Sequence, residues 1–301
     1  MPSQSYLENM RVWIEWNQAT DFAAPLRTIR RSYEETFLRS TPVPKDIAIW
    51  DADANGVPAE WVEGAVRGSR SILFLHGGGY MVGSKAASRG FTARLASITG
   101  RRVCCIDYRL SPEHPYPAPV DDAVTAYRWI REQASTDIVI AGESAGGGLA
   151  VALMMRLREM GVPLPSSAVL ISPWLDLAID GDSADPGASD DPLVSVETLR
   201  VMANLYIKEN LREPLASPLY GDLRGLPPML LMAGGVELLR DDSLRFVQRA
   251  EAAGVRAELF LSPGMAHIWP LIAPDAPEGI EALRRAQEFI LRQQSQMPEP
   301  P

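Results

Sequence analysis

The sequence predicts an α/β fold, in which a mostly parallel sheet is buried between helices. Short apolar runs recur along the 301 residues, and helix-like segments separate most of the later runs. The runs are apolar at nearly every position, as expected of strands that are covered on both faces. The first two or three runs follow each other without helices, which predicts an antiparallel edge to the sheet.

Eight apolar segments are the candidate strands: Ile47–Trp50, Glu60–Glu63, Ile72–Leu75, Val103–Ile106, Ile138–Ala141, Val169–Ile171, Met229–Met232 and Glu258–Leu261. The helix-like segments that separate or follow the later strands are Phe91–Thr99, Val120–Gln133, Ala145–Met160, Ser243–Ala253 and Gly279–Gln294. Together they account for most of the chain after residue 45.

Two stretches stand outside this alternation and predict a cap. Apolar residues recur at helical spacing in the first forty residues. Residues 176–214 begin as an acidic loop and continue as a helix, and an excursion of this length between two strands usually forms a lid. We therefore predict cap segments at 1–45 and 176–214, and a catalytic domain built from 46–175 and 215–301.

Composition argues against several partners. The chain has 29 Lys and Arg against 38 Asp and Glu, a formal charge of −9, and no basic stripe of the kind that binds nucleic acid. Cys104 and Cys105 are adjacent, so a strand would point them to opposite faces, and no disulfide is expected. No leader-like or membrane-spanning apolar run is evident. We expect a cytoplasmic protein that binds neither nucleic acid nor membrane.

The strongest chemical signal is Gly142-Glu143-Ser144-Ala145-Gly146, between a strand and a helix. A nucleophilic serine needs its hydroxyl exposed on a sharp turn, and the two glycines relieve the crowding that such a turn causes. The following helix directs its N–H groups at developing negative charge. Ser144 is the predicted nucleophile.

The second signal is the glycine run at 77–79, which follows His76 at the end of a strand. Attack on an ester forms a tetrahedral oxyanion that needs preorganised donors, and glycines let backbone N–H groups approach it. We predict Gly77, Gly78 and Ala145 as these donors. A phosphate-binding loop is the alternative, but neither the P-loop pattern nor the dinucleotide fingerprint fits.

The base is found by elimination among three histidines. His76 opens the glycine run and His114 lies in a proline-stiffened loop, so both suit structural roles. His267 follows the last strand, where the base belongs when the chain order is Ser, acid, His. His267 is therefore the predicted base.

The acid is expected in the loop after the strand Met229–Met232. Glu237 lies closest to the sheet edge and is the predicted acid. Asp241 and Asp242 remain alternatives, although their position is also typical of helix capping.

No metal site or cofactor is predicted, because the histidines are dispersed and no ligand spacing is present. A catalytic carboxylate pair of the glycosidase type remains open, although nothing nominates one. Five residues are candidate walls of a substrate pocket, although ordinary core packing explains each of them as well. They are Tyr80, Trp174, Met202, Leu205 and Trp269.

These motifs resemble the bacterial hormone-sensitive-lipase family of esterases. The resemblance is carried by His76–Gly79, Asp107–Pro115, Gly142–Gly146, Ser172–Trp174 and Gly264–His267, in that family's order and spacing. It implies an α/β-hydrolase fold with an eight-stranded sheet and a helical cap. It also implies hydrolysis of short- to medium-chain esters without a cofactor, and it is compatible with a homodimer.

Two residues depart from the family pattern. Glu143 and Glu237 stand where the family usually has Asp. With glutamate as the acid, the chain resembles a branch of the family that includes monoterpene lactone hydrolases. Lactones therefore join esters as candidate substrates. A binding protein on the same fold and an amidase are the rival hypotheses. His267 argues against the first, because the plant receptors that resemble this family lack the catalytic histidine.

Overall fold

The computed structural model describes residues 1–65, 70–133 and 137–295. Eight strands form a single sheet within these residues: β1 (Ala48–Ala54), β2 (Val57–Glu63), β3 (Ser71–Leu75), β4 (Arg102–Ile106), β5 (Ile138–Glu143), β6 (Ser167–Ile171), β7 (Met229–Gly234) and β8 (Ala257–Ser262). Every predicted strand is present, and the structure extends most of them by one to four residues. The predicted α/β fold is confirmed.

The sheet has the order β1-β2-β4-β3-β5-β6-β7-β8. The β1–β2 and β2–β4 pairs are antiparallel and the remaining pairs are parallel, which confirms the predicted antiparallel edge. The carboxyl ends of β3, β5, β7 and β8 therefore lie at one edge, and the four candidate site segments all follow these strands.

Nine α-helices lie in the described parts of the chain: α1 (Gln4–Ala19), α2 (Leu26–Ser40), α3 (Lys85–Thr99), α4 (Ala118–Glu132), α5 (Ala145–Glu159), α6 (Val196–Tyr206), α7 (Arg240–Ala252), α8 (Trp269–Ile272) and α9 (Pro277–Gln294). Capping residues in the sequence set the ends of several helices. Ser84 caps α3 by accepting the N–H of Ala87, and Gly100 ends it at φ +64°. None of these helices is both long and apolar enough to span a bilayer.

Apolar clusters cover both faces of the sheet. Cys104 belongs to one cluster and Cys105 to the other, because neighbouring side chains on β4 point in opposite directions. Both thiols are free and buried. Central strands β3 and β5 are buried along their whole length. This packing fixes the strand ends that carry the candidate site.

Candidate active site

Ser144 lies on the sharp turn between β5 and α5, with φ +53°. The flanking glycines allow this turn: a Cβ on Gly142 would lie 2.3 Å from the carbonyl oxygen of Gly146, and one on Gly146 would lie 2.0 Å from that of Leu75. The Ser144 N–H donates to Ile171 of the neighbouring strand at 2.9 Å. The chain thus holds the hydroxyl in a strained conformation at the end of the sheet.

His267 and Glu237 lie beside this hydroxyl. The Nε2 atom of His267 is 2.9 Å from Ser144 Oγ, and its Nδ1 atom is 3.6 Å from Glu237 Oε2. The first distance is a hydrogen bond, and the second is an ion-pair distance longer than a hydrogen bond. All three side chains are buried. Catalytic contacts are often long in ligand-free structures and shorten when substrate binds.

The alternative acids are placed elsewhere. Asp241 accepts the N–H of Ser183, and Asp242 accepts the N–H groups of Leu175 and Asp176. Both aspartates also pair with arginines of α7. The structure therefore places Glu237 beside the histidine and the two aspartates in loop and helix contacts.

Burial and charge set the ionisation of the pair. Burial raises the pKa of Glu237 above its usual range, and this outweighs the opposing effects of His267 and Ser172. Burial lowers the pKa of His267, but the combined effects of the adjacent Glu237 carboxylate, Asp191 and Glu143 raise it by more. The net result is a His267 pKa above its ordinary value.

Ser172 connects the acid loop to the base loop. Its Oγ donates to Glu237 Oε2 at 2.6 Å, which is the same oxygen that faces His267. The hydroxyl also accepts the N–H of Ile268 at 3.0 Å. Ser172 is fully buried and has φ +46°. Ser172 opens the Ser172–Trp174 motif, but the motif alone does not indicate a role in the site.

The glycine run differs from the prediction at one donor. The N–H of Gly77 donates to Glu143 Oε1, and Gly77 does not line the cavity above Ser144. The N–H of Gly77 therefore has an acceptor other than the predicted oxyanion. Gly78 and Gly79 do line that cavity, and within the described chain neither of their N–H groups donates a hydrogen bond. Ala145 is the first residue of α5, so its N–H has no intrahelical partner.

Two other contacts orient the free N–H groups. The carbonyl of Gly77 receives a hydrogen bond from His76 Nδ1 at 2.8 Å, and the carbonyl of Gly78 accepts the N–H groups of Met81 and Val82 at 3.0 Å. Each carbonyl shares a planar trans peptide with the next N–H, which points the opposite way. Fixing these carbonyls therefore fixes the directions of the Gly78 and Gly79 N–H groups.

A cavity of about 330 Å³ opens onto Ser144 and His267. Its walls come from the glycine run, from α1, α2 and the loop between them, and from α6 with the preceding loop. They carry no Lys or Arg. Large apolar side chains dominate them: Trp13, Trp16, Phe22, Leu26, Ile29, Tyr33, Met81, Trp174, Leu193, Val201 and Met202.

Comparison with known proteins agrees with this geometry. A family model for the alpha/beta hydrolase fold matches residues 72–271. The acetyl-hydrolase of Streptomyces hygroscopicus is 39% identical over 289 residues, covering 94% of this chain and 95% of that protein. An esterase of Acinetobacter venetianus is 36% identical and covers 78% of each chain. A crystal structure of an esterase from the bacterial hormone-sensitive lipase family superposes with a TM-score of 0.93 at 42% identity, covering 97% of this chain and 99% of that one.

The chain belongs to the bacterial hormone-sensitive lipase family of α/β-hydrolases. The resemblance drawn from the motifs is thereby confirmed. As a member of this esterase family, the chain is a carboxylesterase.

Of the five predicted pocket walls of this hydrolase, Trp174 and Met202 line the cavity, whereas Tyr80, Leu205 and Trp269 do not. The last three lie away from the cavity for different physical reasons.

A positive φ of +60° turns Tyr80 into the core, where its ring stacks on Tyr206 at 3.7 Å. Trp269 is fully buried beneath the base loop and packs edge-on against Phe260. Leu205 is one helical turn beyond the cavity-lining residues of α6, so it lies past the end of the cavity.

The other two histidines of the hydrolase have no contact with the nucleophile. His76 is buried and stacks on Tyr108 at 4.2 Å, while His114 is exposed. Across residues 1–65, 70–133 and 137–295, no group of three or more His, Cys, Asp or Glu side chains is arranged to hold a metal ion.

Helix α1 of the hydrolase contacts the loop that carries His267 and the loop that precedes α6. The phenol oxygen of Tyr6 accepts the N–H of Ala266, the residue before His267, at 2.9 Å. The side-chain amide of Asn17 donates to the carbonyls of Pro192 and Leu193. The apolar periodicity of the first forty residues predicted a helical cap segment, but periodicity does not show which side chains reach the site.

Proposed function

We propose that this carboxylesterase hydrolyses short- to medium-chain carboxylic esters through a Ser144-His267-Glu237 triad and an acyl-enzyme intermediate. The observation that carries the proposal is the 2.9 Å contact between His267 Nε2 and Ser144 Oγ, with Glu237 on the other side of the imidazole. Nucleophile, base and orienting acid then stand in the chain order of α/β-hydrolases.

The proposed reaction proceeds in two stages. His267 takes the proton of Ser144 as Oγ attacks the carbonyl carbon, and the N–H groups of Gly78, Gly79 and Ala145 stabilise the oxyanion. The imidazolium then protonates the departing alcohol as the carbon–oxygen bond breaks, which leaves an acyl-serine. Water, deprotonated by the same histidine, attacks the acyl group and releases the acid and Ser144.

The cavity supports the proposed substrate class. Its volume of about 330 Å³ is at the lower end of small-molecule pockets, and its apolar walls favour uncharged acyl or alcohol groups. We propose that residues 1–45 and 176–214 act as a cap, because residues from both segments line the cavity. Lactones fit the same chemistry, since ring opening also begins with attack on an ester carbonyl.

Hydrolysis of p-nitrophenyl acetate, butyrate and octanoate tests the proposal, with a lactone assayed in parallel. We expect turnover that Ser144→Ala and His267→Ala abolish. Turnover that survives in folded Ser144→Ala would refute the assigned nucleophile. Absence of turnover on any ester would favour a binding protein, and equal rates on matched amide and ester substrates would favour an amidase.

A further inference from the structure

Glu143 directly precedes the nucleophile, and the proposed reaction does not use it. Its side chain is 97% buried and lines the active-site cavity. A carboxylate withdrawn from water in this way is costly unless hydrogen bonds compensate its charge. The contacts of its two oxygens therefore indicate what it does.

The first oxygen, Oε1, accepts the N–H of Gly77 across the turn. The carboxylate lies so close to Gly77 that a Cβ there would be 2.2 Å from Oε2. The carbonyl of Gly77 is held by His76 Nδ1 at 2.8 Å. The N–H and the carbonyl of Gly77 are thus both held by side chains. The carbonyl belongs to the same peptide group as the N–H of Gly78, so its position also sets the direction of that N–H.

The second oxygen, Oε2, is buried without a hydrogen-bond partner among the described residues, and so is Nε2 of His76. Because Nδ1 of His76 donates to a carbonyl, its Nε2 is the lone-pair acceptor of a neutral imidazole. Burial lowers the pKa of His76, which agrees with the neutral form. Burial raises the pKa of Glu143 to about 7. When Glu143 is ionised, its Oε2 and His76 Nε2 are both buried acceptors that lack a donor.

A second, small cavity borders both Glu143 and His76. Its volume is about 10 Å³, close to the roughly 10–15 Å³ that one water molecule needs. A water molecule has two O–H donors and can satisfy two acceptors at once.

We propose that Glu143 is a positioning residue for the oxyanion donors, holding Gly77 through Oε1 and joining His76 Nε2 through one buried water bound to Oε2. The inference rests on the proposed function, because it concerns the alignment of the Gly78 N–H with the oxyanion. Glu143 acts through the loop and does not touch the reacting atoms.

A pair of nearly isosteric variants tests the role of Oε1. Glu143→Gln keeps an oxygen acceptor for the Gly77 N–H, whereas Glu143→Met keeps the volume and removes it. With p-nitrophenyl butyrate, we expect kcat to fall about 10- to 100-fold in the methionine variant, with KM changed less than threefold. In the glutamine variant, kcat should stay within about fivefold of the parent. Glu143→Ala is the second acceptor-free variant should methionine not fold.

Glu60 supplies the matched control. It is fully buried on β2, pairs with Arg89 and lies outside the active-site cavity. Glu60→Gln and Glu60→Met should destabilise the fold and leave kcat unchanged. An alkylboronic acid, which forms a tetrahedral anion with a serine oxygen, gives a second readout. Its inhibition constant should rise with the loss of kcat in Glu143→Met and stay unchanged in the Glu60 variants.

The outcomes separate this inference from the proposed function. Turnover that is independent of Ser144 overturns the function itself. If turnover depends on Ser144 but folded Glu143→Met keeps full kcat and inhibitor affinity, only the role of Glu143 is overturned. A high-resolution crystal structure tests the water. Density within hydrogen-bond distance of Glu143 Oε2 and His76 Nε2 supports the bridge, and its absence overturns it.

Discussion

Replacement of Ser172 by alanine tests whether the link between the acid and base loops matters for catalysis. Ser172→Ala removes the 2.6 Å hydrogen bond to Glu237 Oε2 and leaves the Ile268 N–H without its acceptor. A hydrogen bond to a charged group contributes about 1.5–3 kcal/mol. If that free energy holds Glu237 toward His267, its loss lowers kcat by about 10- to 150-fold, since about 1.4 kcal/mol is tenfold in rate.

The same substitution should also lower the free energy of unfolding by about 1–3 kcal/mol, because a buried N–H is left unpaired. Ser217→Ala is a matched control for this effect. Ser217 is fully buried, accepts the N–H of Leu177 at 2.8 Å and donates to the carbonyl of Leu211 at 2.6 Å. It does not contact Glu237, so its replacement should reduce stability and leave kcat unchanged.

The assay measures kcat and KM with p-nitrophenyl butyrate, together with urea unfolding of both variants. We expect a kcat loss in Ser172→Ala that is smaller than the loss caused by removing the acid itself. If both serine variants lose similar stability and keep the parent kcat, Ser172 serves the fold alone, and the reasoning from the shared oxygen is refuted.

Four further predictions follow from the site. Glu237→Gln should lower kcat about 10⁴-fold, whereas Asp241→Asn should change it less than threefold; the opposite ranking in folded variants would make Asp241 the acid. Because the base must be neutral and the pKa of His267 is raised, kcat/KM should fall as pH drops through a value above the ordinary histidine pKa. Glu237→Gln removes the negative charge and should move this limb to lower pH; an unmoved limb would contradict the pairing. Gly79→Ala should lower kcat about 100-fold, because Gly79 has φ +61° and a Cβ there would lie 2.0 Å from Met202 Sδ, so that the loop must shift and misplace the N–H; an unchanged kcat would show that the added Cβ leaves the N–H in place. Met202→Ala should raise the octanoate-to-acetate ratio of kcat/KM about tenfold by enlarging the cavity, and a constant ratio would show that Met202 does not limit acyl length.

The sheet was predictable because its signals are local. Strands β3 to β7 are short apolar runs bounded by turns, and burial on both faces leaves no polar alternation to confuse the pattern. The nucleophile turn was equally readable because its five-residue motif is local, although the contact that requires Gly146 is with Leu75 of β3. The placement of His267 came from the motif order and not from any local pattern, and the order of the strands in the sheet was not predicted.

The structure departs from the predictions where the direction of a backbone N–H group or of a side chain depends on tertiary contacts. In the glycine run, all three residues can offer an N–H, and only the buried Glu143 shows that Gly77 is already occupied. Tyr80 follows the same run, but its positive φ turns the ring away from the cavity. The walls contributed by α1 and α2 were missed because helical periodicity shows an apolar face without naming what it covers.

The amino-terminal helix α1 has two roles. It lines the cavity, and through the hydrogen bond from the Ala266 N–H to Tyr6 it also supports the loop that carries His267. Chimeras that exchange the first twenty residues between relatives to transplant selectivity would alter turnover at the same time, unless a phenol is retained at this position. Protein engineers can separate the two properties by redesigning the cavity-facing Trp16 while preserving Tyr6.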